Sequence, residues 1–347
     1  MFTKKKRSIL ILLAMVLIAV TACGGGGGGN EDASFEGQNV RVVIGSSSTT
    51  GDSYLVADGT MRTLGGLLKS DMKVDAVGAG PAFETMRGAK ADGSTIMMFH
   101  DMTYLGVSFG SFPEEYSLDN YTVGPMMISN PGSCFAATAK APYNSMVEMA
   151  EYLKANPNET VRVNIESGSV SHLGFIVFYN WVVDNYGQNV ANQISVIVGG
   201  STAEKSQRLW DGNTDVIFGD YSSLLQYTEE GVEDQLAMKF IGFLDKVDGV
   251  DNLSFAEQGI TVDGEPFVFA KDFVIYLPKD APKSLLDQLD EACKKVSEDK
   301  DYIERMTGYK YKVNFKPSAE AEKYIKDKAT KMDKLIKAAP SLDTLTK

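Results

Sequence analysis

Basic residues are in short supply. The 347 residues carry 34 Lys and Arg against 46 Asp and Glu, a formal net charge of -12. A surface of that sign repels phosphate backbones and anionic headgroups, which argues against nucleic-acid binding. Histidine is scarcer still, with only His100 and His172. No cysteine pair or histidine cluster has metal-ligand spacing, and nothing calls for a cofactor. The glycine–lysine pattern of a nucleotide-cradling loop is absent. Gly78-Ala79-Gly80, followed by Pro81, lacks the third glycine of a dinucleotide fingerprint. Beyond the amino terminus, no stretch is long and apolar enough to span a membrane. What remains is a globular composition, 44% apolar and 23% charged, and a length that suits two α/β domains plus an export segment.

The amino terminus carries a specific local signal. Lys4-Lys5-Lys6-Arg7 is a positive start and Ile9 to Val20 a short apolar run. Val20-Thr21-Ala22-Cys23 then places small residues before a cysteine, as at a processing site. It resembles the lipobox of bacterial lipoproteins, which implies that 1–22 is removed and Cys23 is lipidated. Losing 1–22 deletes four basic residues and no acid, so the mature chain is more acidic still. The alternative is a plain membrane anchor, but the run is shorter than the roughly 20 residues a bilayer requires. Residues 23–35, with the Gly24–Gly29 run, read as a flexible tether. Cys134 and Cys293 could bridge in an oxidising compartment; two free buried thiols are the expectation.

Past the tether, short β-branched runs alternate with amphipathic stretches. Strands are expected at 40–44, 73–77, 94–99, 161–165, 194–198, 215–218, 239–243 and 273–277. The 123–139 region reads as an extended crossing segment. A helix follows Asp52 or Ser53 as N-cap, and Ser145-x-x-Glu148 opens another as a capping box. Further helices carry the Leu173/Val177/Trp181 stripe up to Gly187, the stretch to Trp210, the Leu285/Leu289/Ala292/Val296 stripe, and the segment after Pro317. This alternation predicts parallel sheets covered on both faces.

In open α/β sheets, ligands bind where strands run into helix N-termini. Three such loops are rich in glycine and small hydroxyls. They are Gly45-Ser46-Ser47-Ser48-Thr49-Thr50-Gly51-Asp52, Glu166-Ser167-Gly168-Ser169-Val170-Ser171 and Gly199-Gly200-Ser201-Thr202. A helix N-terminus offers free N–H groups and about half a positive charge, worth roughly 0.3–2 kcal/mol to an anion. None of the three loops contains Lys or Arg, so an anionic ligand would have to be captured by backbone alone. A solvated, serine-capped turn is the plainer account of any one loop. Near the loop mouths, His100, Glu166 and Asp220 are titratable, with capping or solvent exposure as their ordinary roles. A surface hydrolase pairing His172 with a nearby serine is the rival from a different class.

The order of these pieces resembles the solute receptors of tripartite tricarboxylate transporters, from about Val40 to Leu335. The match is carried by Thr49-Thr50-Gly51-Asp52, Gly78-Ala79-Gly80 with Asp92-Gly93, Ser167 through Leu173, Gly199-Gly200, and Gly212-Asn213-Thr214-Asp215. Phe255-Ala256-Glu257-Gln258-Gly259 and Leu277-Pro278-Lys279-Asp280-Ala281-Pro282 complete it. The resemblance implies a type II periplasmic-binding-protein fold, two α/β lobes around a ligand cleft. Lobe 1 would take 36–125 and 240–347, and lobe 2 would take 126–239. It also implies a monomeric, non-enzymatic receptor on the extracytoplasmic face of the membrane, passing a small organic acid to integral-membrane permease subunits. The ligand-holding role carries over to Ser46, Ser47, Ser48, Thr49, Ser169, Gly199, Gly200 and Ser201, with Asp52, His100, Ser167 and Asp220 beside them. A buried acid next to a carboxylate would be costly, which leaves room for an amine-bearing acid or an oxyanion as the solute.

Overall fold

Hydrophobic alternation sorts the strands into two sheets. The computed structural model describes residues 33–251, 254–339 and 341–345; the expected export segment, Cys23 and most of the tether lie outside them. In chain order the elements are β1 (Asn39–Ile44), α1 (Asp52–Leu68), β2 (Asp71–Ala76), α2 (Ala79–Gly88), β3 (Thr95–Phe99), α3 (Met102–Ser108), β4 (Tyr121–Asn130) and β5 (Ser133–Thr138). Next come α4 (Met146–Ala155), β6 (Val161–Ile165), α5 (Val170–Tyr186), α6 (Gln188–Ala191), β7 (Ile194–Val198), α7 (Thr202–Trp210), β8 (Val216–Asp220), α8 (Tyr221–Leu224) and β9 (Met238–Phe243). The hairpin β10 (Thr261–Val262) and β11 (Glu265–Pro266) follows, then β12 (Lys271–Pro278), α9 (Lys283–Glu298), α10 (Lys300–Gly308), β13 (Lys312–Lys316) and α11 (Ser318–Lys337).

The larger sheet runs β13-β4-β12-β3-β1-β2 and the smaller β7-β6-β8-β5-β9. β1 pairs in parallel with β2 and β3, and β6 with β7 and β8. The pairings of β4, β5 and β12 are antiparallel, so both sheets are mixed and not parallel as expected. The cause is the passage between sheets. β4 ends at Asn130 and β5 begins at Ser133 in the other sheet, with no crossover helix to restore a parallel direction. β9 belongs to the smaller sheet, and the chain is back in the larger one at β12. The boundaries expected at 126 and 240 thus lie inside β4 and β9.

Both faces of the larger sheet are buried. Val40, Val42, Ile44, Ile96, Met98, Phe273 and Ile275 enter one core, while Val43, Met97, Phe99, Val274 and Tyr276 enter another. That is the period-2 alternation of a doubly covered sheet. α5 is apolar around most of its circumference because it is buried in that second core. At α4, Ser145 Oγ accepts from Glu148 N–H at 3.0 Å. Glu148 in turn accepts from Asn144 N–H at 2.6 Å instead of completing the box on Ser145. α1 begins one residue earlier than a cap at Asp52 would allow, with Gly51 at the N-cap. Pattern reading passed over α2, whose Pro81 sits in the first turn where proline is tolerated. It also passed over β13, an edge strand ending in lysines. Cys134 and Cys293 are free, buried in separate cores.

Candidate functional site

The three hydroxyl-rich loops border one cavity of about 360 Å³, a size that suits a small molecule. β1 delivers the first loop to α1, β6 the second to α5, and β7 the third to α7. Ser46, Ser47, Ser48, Asp52, His100, Ser169, Gly200, Ser201 and Asp220 line it, while Thr49, Ser167 and Gly199 do not. Ser167 turns instead to Ser111, with hydroxyls 2.8 Å apart. Gly199 has a packing role, since a Cβ there would stand 2.2 Å from Asn164 Oδ1. Gly45 leaves similar room for the Phe99 ring, 2.0 Å from where a Cβ would be. Among aromatics close to these loops in sequence, Phe99 reaches the cavity wall, and Tyr104 and Phe175 stay in the core.

Much of the helix-start hydrogen bonding is already used. Asp52 Oδ1 accepts from Ser53 N–H at 2.8 Å and Ser169 Oγ from Ser171 N–H at 3.1 Å. On α7 a full capping box joins Ser201 and Glu204. The N–H groups of Thr202 and Ala203 have no acceptor among the described residues, and both residues border the cavity. Backbone capture therefore has donors left at α7, fewer than the bare loops implied.

The cavity also holds cations, against the expectation of capture by backbone alone. Lys205 and Lys271 both line it and are 5% and 7% exposed. Neither belongs to a loop: Lys205 lies in the first turns of α7 and Lys271 starts β12. Lys205 had a readable signal, standing four residues before the buried Leu209 on the inward helix face. Lys271 had none, because only its register opposite Asn130 brings it here. Lys271 pairs with Asp52, and Asn130 Nδ2 donates to Asp52 at 3.1 Å and to Asp220 at 2.5 Å. Asp220 also accepts from Ser222 Oγ at 2.5 Å and from Tyr311 O–H at 3.1 Å. Both passages between the sheets thus end on this network.

Burial governs the titrations. It favours the neutral form of Asp52, but Lys271, His100 and the Ser53 N–H outweigh it and hold that carboxyl below its ordinary value. Asp220 goes the other way, raised by burial and then by the Asp52 charge. It caps α8 but is not solvent-exposed. Glu166 is raised by burial and caps nothing with its carboxyl. Burial and then Lys271 push His100 down to about 3, so it is a neutral ring, accepting from Met102 N–H at 3.3 Å. Burial, joined by the Lys271 charge, pushes Lys205 down to about 8 against the pull of Glu166.

No serine hydroxyl bonds His172 among the described residues. Its Nδ1 accepts from Gly168 N–H at 3.3 Å, its Nε2 is buried without a partner, and its ring stacks on Phe109 at 3.8 Å. Ser169 and Ser171 both donate to the Glu166 carbonyl. Nor do three or more His, Cys, Asp or Glu converge on a metal-sized site among those residues.

Solved structures share this architecture. The periplasmic binding protein BugD is 18% identical with a TM-score of 0.70, covering 88% of this chain and 98% of its own. MatC of Rhodopseudomonas palustris, solved with malate, is 17% identical with a TM-score of 0.70, covering 87% and 100%. An R. palustris protein solved with adipate is 13% identical with a TM-score of 0.72, covering 87% and 97%. At such identities the likeness carries the fold, the two-lobed fold of periplasmic binding proteins. No sequence match is found among curated proteins. The family model of the tripartite tricarboxylate transporter family receptors matches residues 54–340, most of the described chain. The chain belongs to that family of solute receptors.

Proposed function

We propose that this receptor captures a small organic carboxylate and presents it to integral-membrane permease subunits. The observation that carries this is a buried lysine, Lys205, beside the free N–H groups that start α7, on the wall of a cavity sized for a small molecule. An ammonium and a helix N-terminus on one wall attract the same anion. The malate and adipate held by two proteins of like fold support the ligand class.

The larger sheet forms one lobe and the smaller the other, and ligand favours the shut arrangement through its differential affinity. The receptor works without chemistry, a reading supported by the separation of His172 from any serine hydroxyl. It acts as a monomer outside the cytoplasm, held to the membrane through a lipid on Cys23. Metabolic labelling with a fatty-acid probe, lost on Cys23→Ala, tests that anchor. The central test is unfolding stability against a broad panel of organic acids, amino acids included. A true ligand at about 100 times its Kd adds roughly 2.7 kcal/mol; a flat response across the panel would overturn the proposal.

A further inference from the structure

Two ionisable side chains on the cavity wall, Lys205 and Glu166, attract each other but make no side-chain hydrogen bond or ion pair among the described residues. The Lys205 ammonium makes no hydrogen bond or ion pair among the described residues; its Nζ stands 5.9 Å from the centre of the Phe218 ring. Glu166, at the end of β6, is tied down through its backbone. Its N–H donates to Ser171 Oγ at 2.8 Å, and its carbonyl accepts from Ser169 Oγ at 2.8 Å. Its carboxyl has no hydrogen bond or ion pair among the described residues. Both residues line the same cavity without pairing with each other.

The rest of the wall is spoken for. Lys271 and Asn130 hold Asp52, and Asn130, Ser222 and Tyr311 hold Asp220. His100 is an uncharged ring in contact with Phe99 and Phe273. One cationic and one acidic group are therefore left to be satisfied by whatever enters. A buried charge without a partner is unfavourable, and a group that pairs with it gains accordingly. A plain dicarboxylate would bring two negative charges to a wall with one free ammonium and the acids Glu166 and Asp220. A molecule with one carboxylate and one ammonium would satisfy both free groups and add no net charge.

Building on the carboxylate-receptor reading above, we propose that the ligand is a small zwitterion of the amino-acid type. Its carboxylate pairs with Lys205 and its ammonium with Glu166. Titration calorimetry on the purified chain tests this with pairs that differ only in the amine: L-aspartate against succinate, L-glutamate against glutarate, 4-aminobutyrate against butyrate. In at least one pair the amino member should bind about tenfold or more tighter. Glu166→Gln should weaken that amino member by about tenfold or more and leave its deaminated counterpart unchanged or tighter. Lys205→Met should weaken both members.

The unmodified protein decides the matter even if a variant fails to fold. Deaminated acids binding as tightly as their amino counterparts would end the zwitterion assignment and leave the receptor reading standing. Silence across every acid of either kind would end both. A preference for the amine that survives Glu166→Gln would remove Glu166 from the role.

Discussion

Lys271 and Asp272 are neighbours in β12, yet their side chains leave the strand on opposite sides and enter different buried charge clusters. Lys271 reaches Asp52 at the cavity, while Asp272 meets Lys328 at 2.5 Å, Ser129 at 2.5 Å and Tyr324 at 3.0 Å. The same split recurs at two other adjacent pairs. His100 lines the cavity and Asp101 binds Lys328 at 2.6 Å; Asn130 holds Asp52 and Ser129 holds Asp272. In β4 and β12 the two-residue period of extended chain separates a sealed cluster from an open one, and at His100 and Asp101 the turn into α3 does so. In the sealed cluster every charged group is paired: Asp101 also accepts from Tyr104 O–H at 2.7 Å and from Asp272 N–H at 2.8 Å. In the open cluster Lys205 and Glu166 are left over.

Lys328 and Lys205 express the difference. Burial opposes the charge of each. For Lys328, Asp101 and Asp272 outweigh burial and raise the pKa; for Lys205 nothing does, and it falls from 10.5 to about 8. Unpaired buried charge is tolerable where a partner arrives later. The sealed cluster holds the protein together, and on the proposed reading the open one is kept for a guest.

Breaking the sealed side should cost most. Lys328→Met strands Asp101 and Asp272, and denaturant unfolding should show a loss of about 3–5 kcal/mol with ligand affinity little changed. A loss under about 1 kcal/mol would mean that water already reaches the cluster.

Lys205→Met should act in the opposite direction. At pH 7 it relieves the folded state of charging a buried amine, for a gain of about 1–3 kcal/mol, while ligand binding is weakened. The sign follows from proton counts. Between pH of about 8 and 10.5 the unfolded chain holds more protons at Lys205 than the folded chain. Stability of the natural protein therefore rises across that window, and the variant lacks this rise. Unfolding curves of the two at pH 7, 8.5 and 10 should converge as pH increases; a constant gap would place the cause elsewhere.

The smallest effect belongs to a group satisfied at the cavity rim. Ser201→Ala removes one half of the α7 capping box and should cost about 0.5–2 kcal/mol. If thermal unfolding shows it to be costlier than Lys328→Met, the contrast between sealed and open clusters is wrongly drawn.

Local physics was legible in the sequence. β6 and β7 could be read to the residue because β-branched runs bounded by turn residues form strands whatever surrounds them. The third loop likewise announced the start of α7 through Ser201. The family could be read too, since its pieces keep their order along the chain. Three things were settled only by tertiary structure. Antiparallel pairing within each sheet depends on where β4 passes from one sheet to the other, which no local periodicity encodes. The burial of Lys271 depends on its register opposite Asn130, 141 residues away in sequence. The charge of the cavity depends on which of its acids and lysines find one another. Sequence lists the ionisable groups, but pairing is a matter of distances a few ångströms across, and those exist only once the chain has folded.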